Sequence, residues 1–201
     1  MGFAAIGDRY VGWGTGFADF DCDGDLDVIA ATGHVKRYPV TAPVRQQPLV
    51  WLNDRGRFVR QSFPTDSYLG TPHEGRGLAL GDLDNDGDID IVIAHNDRPL
   101  AILSNETPAS GGWLRVHLVG RRSSRDAIGA RLGLKVGNRM VWRQINGGGS
   151  YFSQSDLRSH WGIPSGDSVG ELEIHWPSGS SQILSDLKPC STATFIEPAE
   201  L

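Results

Sequence analysis

The second half of the chain alternates apolar and polar positions. Over residues 113–118, Leu114, Val116 and Leu118 fall on one face, and further on Leu172, Ile174 and Trp176 alternate with Glu171, Glu173 and His175. A period of two marks a half-buried strand. Residues 128–136 and 139–145 flank Gly137-Asn138, which predicts a hairpin. Pro177-Ser-Gly179 then turns the chain into a strand at 182–184, and 192–196 is expected as the last one. In the first half, apolar residues gather instead in short runs at 28–31, 49–52, 91–94 and 100–103. No segment sustains a 3.6-residue period over ten positions. The pattern predicts an all-β protein.

The runs of the first half belong to a repeat. Residues 19–27 (Asp-Phe-Asp-Cys-Asp-Gly-Asp-Leu-Asp) align with 82–90 (Asp-Leu-Asp-Asn-Asp-Gly-Asp-Ile-Asp), with six of nine positions identical. Each window follows a Gly-rich segment (14–18; 77–81) and precedes a β-branched run. A further apolar strand ending in Asn closes each unit, at Asn53 and Asn105. The offset is 63 residues, and residues 34–48 read as a loop.

Charge now changes the picture. The chain of 201 residues carries a net −5, yet these two windows hold ten of its 24 acidic residues; removing their ten negative charges leaves +5 on the rest. A solvated face does not concentrate charge in this way. Aspartates at positions 1, 3, 5, 7 and 9 of a short loop repel one another unless a cation sits among them. Ca²⁺ takes about six to eight oxygen ligands, and Gly24 and Gly87 at position 6 permit the sharp turn. An EF-hand would need Glu at position 12 and flanking helices; that position is Ala30 in one loop and Ile93 in the other, both in strand-like runs. The expectation is a calcium loop between two strands, occurring twice, with two structural ions.

This arrangement resembles the FG-GAP/VCBS repeats of integrin-like β-propellers. The resemblance implies side-chain ligands Asp19, Asp21, Asp23 and Asp27, with Asp25 serving through its carbonyl; the matching set is Asp82, Asp84, Asp86 and Asp90, with Asp88 through its carbonyl. Cys22 stands at a loop position that is usually polar and is not a ligand. From about residue 109 the acidic repeat stops. Residues 124–130 (Ser-Arg-Asp-Ala-Ile-Gly-Ala), 147–154 (Gly-Gly-Gly-Ser-Tyr-Phe-Ser-Gln), 157–162 (Leu-Arg-Ser-His-Trp-Gly) and 173–179 (Glu-Ile-His-Trp-Pro-Ser-Gly) are similar to the ASPIC/UnbV domain over roughly 112–198. That domain accompanies such repeats in bacterial proteins and in the animal cartilage acidic proteins. The expected organisation is therefore residues 1–108 as two blade-like repeats, a partial propeller, and 109–201 as a small antiparallel β domain. The resemblance implies an extracellular or envelope location, with no catalytic residues to transfer.

Composition excludes several classes. No window approaches 18 consecutive apolar residues, so no membrane-spanning helix is expected. The first twenty residues show no signal-peptide pattern. Basic residues are scattered and lack aromatic interleaving, which argues against nucleic acid. The six histidines show no ligand spacing, and Ser153, Ser159 and His160 form no ordered triad. Arg125-Asp126 is the candidate polar pair, expected as an internal ion pair holding its loop. Cys22 and Cys190 are compatible with a disulfide in an oxidising compartment.

The functional expectation is a calcium-stabilised, non-catalytic recognition or adhesion module for a protein or glycan. The alternatives are an accessory or catalytic module of a polysaccharide-active protein, or a scaffold fragment of a longer propeller. The first of these alternatives would be favoured by two acids from among Glu74, Asp97, Asp126, Asp156, Asp167, Glu171 and Glu173 sharing a groove. Two blades alone would expose sheet edges, so further blades, the second domain or self-association are expected to cover them.

Overall fold

A computed structural model describes residues 9–35 and 43–199. Among these residues there are sixteen strands and no α-helix, so the fold is all-β. Among the described residues no helix is long and apolar enough to cross a membrane. The first repeat is a four-stranded antiparallel sheet of β1 (Gly12–Ala18), β2 (Asp27–Thr32), β3 (Leu49–Asp54) and β4 (Arg57–Arg60), in that order. The second is a three-stranded sheet of β5 (Gly75–Gly81), β6 (Asp90–His95) and β7 (Ala101–Leu103). The two agree in detail: the β1–β2 register slips between Gly12 and Thr15, and the β5–β6 register slips between Gly75 and Leu78, at the same place in the repeat.

The repeats share one core, in which Phe20, Ile29 and Val50 meet Leu78, Leu80, Ile91 and Ile93. Close contact between β1 and β5 depends on Gly14, where a Cβ would press on the backbone nitrogen of Leu78. A smaller cluster of Val28, Leu49 and Trp51 lies on the other face of the first sheet. Both faces of β2 are thus covered, which is why its sequence runs apolar instead of alternating.

The C-terminal half packs two sheets face to face. One comprises β8 (Gly111–Val119), β13 (Ser159–Pro164) and β16 (Ser191–Ile196); the other comprises β9 (Arg131–Val136), β10 (Arg139–Gln144), β14 (Val169–His175) and β15 (Ser181–Leu184). Leu114, Val116, Leu118, Trp161 and Ile163 face Leu132, Leu134, Leu172 and Ile174 to form its core. A two-stranded hairpin, β11 (Gly149–Ser150) and β12 (Ser153–Gln154), leaves the sandwich and lies against β1 and β5 of the repeats. Tyr151 at its turn packs edge-on against Trp13, with ring centroids 4.7 Å apart.

Several expectations are corrected. The strand anticipated from residue 128 starts at Arg131, because Ala127 adopts a positive φ and the N–H groups of Ala127 and Ala130 are spent on tight turns. Within this domain one pairing is parallel: β16 runs alongside β8 after a crossover from β15. Period-two patterning fixes which face a residue takes but not strand direction. Arg125 and Asp126 form no ion pair and both are exposed. Part of the expected 34–48 loop lies outside the described residues.

Glu197, not Asp126, holds the Gly120–Ala130 loop. Its side chain is 0 % exposed and its Oε2 accepts N–H bonds from Arg121, Arg122 and Ser123, each 2.8 Å, while the Ser123 hydroxyl donates to Oε1 at 2.9 Å. Burial alone would push this carboxyl up; the surrounding donors outweigh it and hold the pKa at about 2. The depressed value means stability that is present above the ordinary 4.5 and lost as pH falls towards 2. Glu197→Gln is therefore expected to cost about 1–3 kcal/mol at pH 7 by urea denaturation. The gap to the wild type should close as pH is lowered through that window.

Candidate metal centre

Each acidic window forms the connection from the first to the second strand of its sheet, so strands flank both loops. The backbone is the same in each. Position 6 takes a positive φ at Gly24 (91°) and Gly87 (103°), and position 4 does so at Cys22 (55°) and Asn85 (67°). Asn tolerates that conformation; for Cys22 it is held by the loop around it.

Hydrogen bonding is similar in the two loops, except that the first carboxylate takes one of its donors from position 5 in the first loop and from position 4 in the second. Asp19 accepts from the N–H groups of Asp23 (3.1 Å) and Gly24 (2.9 Å); Asp82 accepts from those of Asn85 (2.6 Å) and Gly87 (2.9 Å). Asp23 accepts from Asp25 N–H, and Asp86 from Asp88 N–H, both at 2.9 Å. The last carboxylate closes each loop onto its own sheet. Asp27 takes Phe20 N–H (2.9 Å) and Asn53 N–H (2.8 Å); Asp90 takes Leu83 N–H (2.8 Å) and Asn105 N–H (2.9 Å). Those bonds use backbone N–H groups; it is the side-chain amides that call for Asn at the end of each unit. The Asn53 amide donates to Leu26 O, and the Asn105 amide to Phe20 O, so Asn105 links one loop to the other.

The carboxylates converge. Oxygens of Asp19, Asp21 and Asp27 lie within 4.8 Å of one another, as do those of Asp82, Asp84 and Asp86. Asp25 turns its side chain away from the cluster to accept Arg55 N–H (2.9 Å). Asp23 and, in the second loop, Asp88 and Asp90 stand outside those tight groups. In the first loop Asp21 Oδ1 is buried without a hydrogen-bond partner. Burial, reinforced by neighbouring aspartates, pushes Asp19 up to about 7 despite the Gly24 hydrogen bond, and pushes Asp27 up to about 6. An all-oxygen set of this charge, with an orphaned carboxylate oxygen inside it, fits a hard divalent cation such as Ca²⁺.

What covers the loops was not visible in the sequence. The face of β8 and β13 turned away from the sandwich core lies on both of them. Gly162 meets the Asp19 carboxylate and the Cys22 backbone, Trp113 lies over Gly87, and His160 Nε2 donates to Gly87 O at 2.9 Å. Burial drives the His160 pKa down to about 4, with Arg143 and Arg115 adding to the effect, so the ring is neutral here. Arg115, on the face of β8 opposite Leu114 and Val116, is 2 % exposed. Its guanidinium pairs with Asp82 and donates to Asn85 Oδ1 (3.0 Å) and Thr192 Oγ1 (3.0 Å). Ser110 N–H and hydroxyl bond Asp21 O at 2.7 and 3.0 Å. Cys22 and Cys190 are free thiols, the first buried and the second exposed, and burial beside Asp19 raises the Cys22 pKa to about 12.

Beside the first loop the two halves leave a cleft of about 350 Å³, lined among others by Phe17, Asp19, Arg143, Gln154, Ser155 and Asp156. Phe17 is 62 % exposed there. Of the tryptophans, Trp51, Trp161 and Trp176 are core residues, and Trp142 lies partly exposed across Gly133 with His175 stacked near it.

Residues 120–201 match the family model of ASPIC and UnbV domains. The chain is 25 % identical over 201 residues to human cartilage acidic protein 1, covering 92 % of this chain and 29 % of the relative. It is 27 % identical over 168 residues to the mouse protein, covering 81 % and 25 %. To the protein of Xenopus tropicalis it is 31 % identical over 111 residues, covering 52 % and 16 %. The chain thus spans less than a third of the length of these curated relatives.

The tight seat of the sandwich on the first loop yields a direct test. Gly162→Ala places a methyl group against the Asp19 carboxylate and is expected to cost about 1–3 kcal/mol in chemical denaturation. Gly12→Ala, where a Cβ meets nothing within 4 Å, should stay within about 0.5 kcal/mol of the wild type.

Proposed function

We propose that the chain is a calcium-stabilised, non-catalytic recognition module of an extracellular or envelope protein, built from two FG-GAP/VCBS-like repeats and an ASPIC/UnbV domain. The observation that carries the reading is the converged carboxylate set of each loop, with the Asp21 oxygen buried and unpartnered in the first. Aspartates 19, 21, 23 and 27, with the Asp25 carbonyl, would hold one ion; Asp82, Asp84, Asp86 and Asp90, with the Asp88 carbonyl, are the matching set. The ion acts as a fastener, since removing it leaves desolvated carboxylates facing one another beneath the β8–β13 sheet. The similarity to cartilage acidic protein 1 supports an extracellular setting; a protein or glycan is the partner proposed for it there. The cleft beside Phe17, where both halves contribute polar side chains, is the surface offered to such a partner. Among the acids that would favour a polysaccharide-active role, Asp156 lines this cleft with its carboxylate engaged by Arg158.

Thermal unfolding with calcium titrated against EGTA tests the reading. Stabilisation of about 2.7 kcal/mol per occupied loop is expected when free calcium exceeds Kd a hundredfold, and Asp21→Asn should abolish the share of the first loop. A folded chain whose transition ignores calcium would defeat the proposal.

The pH dependence follows from the raised carboxyls. Protons compete with the ion for Asp19 and Asp27, so apparent calcium affinity should fall as pH drops below about 7. Calorimetry is expected to read a loss of about tenfold between pH 7.5 and 6.

A further inference from the structure

The two loops are near-copies in sequence and backbone, yet they meet different residues of the sheet that covers them. A carboxylate offers about four lone-pair positions. Asp19 uses two of them, on the N–H groups of Asp23 and Gly24, and the residue of the sheet lying on it is a glycine. Asp82 uses three: Asn85 N–H on Oδ1, then Gly87 N–H and the Arg115 guanidinium on Oδ2. The side chains at position 4 differ in the same sense. Asn85 Oδ1 receives Arg115 Nη2 at 3.0 Å and Arg158 Nη1 at 3.2 Å, whereas Cys22 offers no such acceptor. Arg158 Nη2 further donates to the Asp82 carbonyl at 3.0 Å.

The first loop has no equivalent contact pair: Arg143 feels the Asp19 charge across the cleft without bonding to it. Among the described residues no cationic group comes within 4 Å of the carboxylates of Asp19, Asp21, Asp23 or Asp27; Arg139 alone reaches Asp25, the side chain that points outward, at 3.9 Å. The orphaned Asp21 oxygen belongs to this loop. The second loop also leaves Asp84 and Asp86 exposed, so water solvates the charge that Arg115 does not meet.

We propose that the two loops are neutralised differently: the first takes the divalent cation, and the second is closed by the protein's own cation, Arg115, which latches the C-terminal sandwich to the repeats. The assignment of the first loop rests on the calcium reading above; the latch does not. Arg115 reaches three elements at once, the second loop through Asp82 and Asn85, its own β8, and β16 through Thr192. A buried guanidinium–carboxylate pair of this kind is costly to break from one side, because the remaining charge stays desolvated. The chain therefore keeps one end of its inter-unit seam closed without calcium, while the other depends on it.

Two measurements on the full chain decide this. In calorimetric titration with calcium, one tight site is expected, abolished by Asp21→Asn and unchanged within about twofold by Asp84→Asn. Two sites of equal affinity, one of them removed by Asp84→Asn, would overturn the assignment. In EGTA, Arg115→Met is expected to shift the unfolding equilibrium by about 100-fold or more, with Asp82→Asn adding little on top, because the two side chains act as one pair. Additive effects would overturn the latch. If Arg115→Met does not fold, Asn85→Gly carries the same test: it keeps the positive φ and removes an acceptor, so about a fivefold shift in EGTA is expected, and no shift refutes the latch. A chain that binds no calcium overturns the functional reading and the assignment of the first loop together, whereas the cycle in EGTA judges Arg115 independently of calcium.

Discussion

Packing concentrated negative charge against a protein surface is the constraint around which this molecule is arranged. Ten aspartates sit in two loops, and both loops are roofed by the outer face of the β8–β13 sheet. Burial penalises each ionised carboxylate, and the neighbours penalise it further. Three devices answer that penalty. Backbone N–H groups turn inward onto Asp19, Asp27, Asp82 and Asp90, the strand-ending asparagines bring one more donor each, and positive charge is supplied from outside the loop.

The seam between the halves follows from this. A sandwich sheet ordinarily has one buried and one solvated face. Here the second face of β8 carries Trp113 and Arg115 against the loops, so β8 is covered on both sides there, while His117 further along the same face stays exposed. The β11–β12 hairpin adds a second point of attachment by lying on β1 and β5, with Tyr151 against Trp13 and Ser155 Oγ accepting Leu80 N–H at 3.1 Å. Sequence divides the chain near residue 108 into a repeat region and a different pattern. The structure gives each part its own core and then joins them through polar, charge-bearing contacts.

Glu197 works by the same physics on a smaller scale. Its carboxylate is fully buried, yet three backbone N–H groups and a hydroxyl make the ionised form the favoured one. The loop it gathers contains Arg125 and Asp126, adjacent opposite charges that look like a pair in one dimension. They point to solvent because the donors that organise the loop belong to its backbone, and the acceptor comes from a distant part of the chain.

What the sequence determined by itself was everything set by local period and local spacing. Alternation located β8 and β14, the Gly137-Asn138 turn located β9 and β10, apolar runs located β2, β3, β6 and β7, and the Asp–Gly spacing located both loops, since a positive φ at position 6 and crowded carboxylates are properties of nine consecutive residues. The short strands β4, β11 and β12 left no such signal, and β13 alternates only over Trp161 and Ile163, with His160 and Gly162 between and beside them. Tertiary structure alone decided what each loop faces. Asp19 meets a glycine and Asp82 meets an arginine because Gly162 and Arg115 occupy neighbouring strands whose register sets them over different loops. Asp82 and Arg115 lie 33 residues apart in the chain. A period of two assigns a side chain to one face of a strand, but whether that face meets water, a core or another unit's charges depends on the packing of the whole molecule.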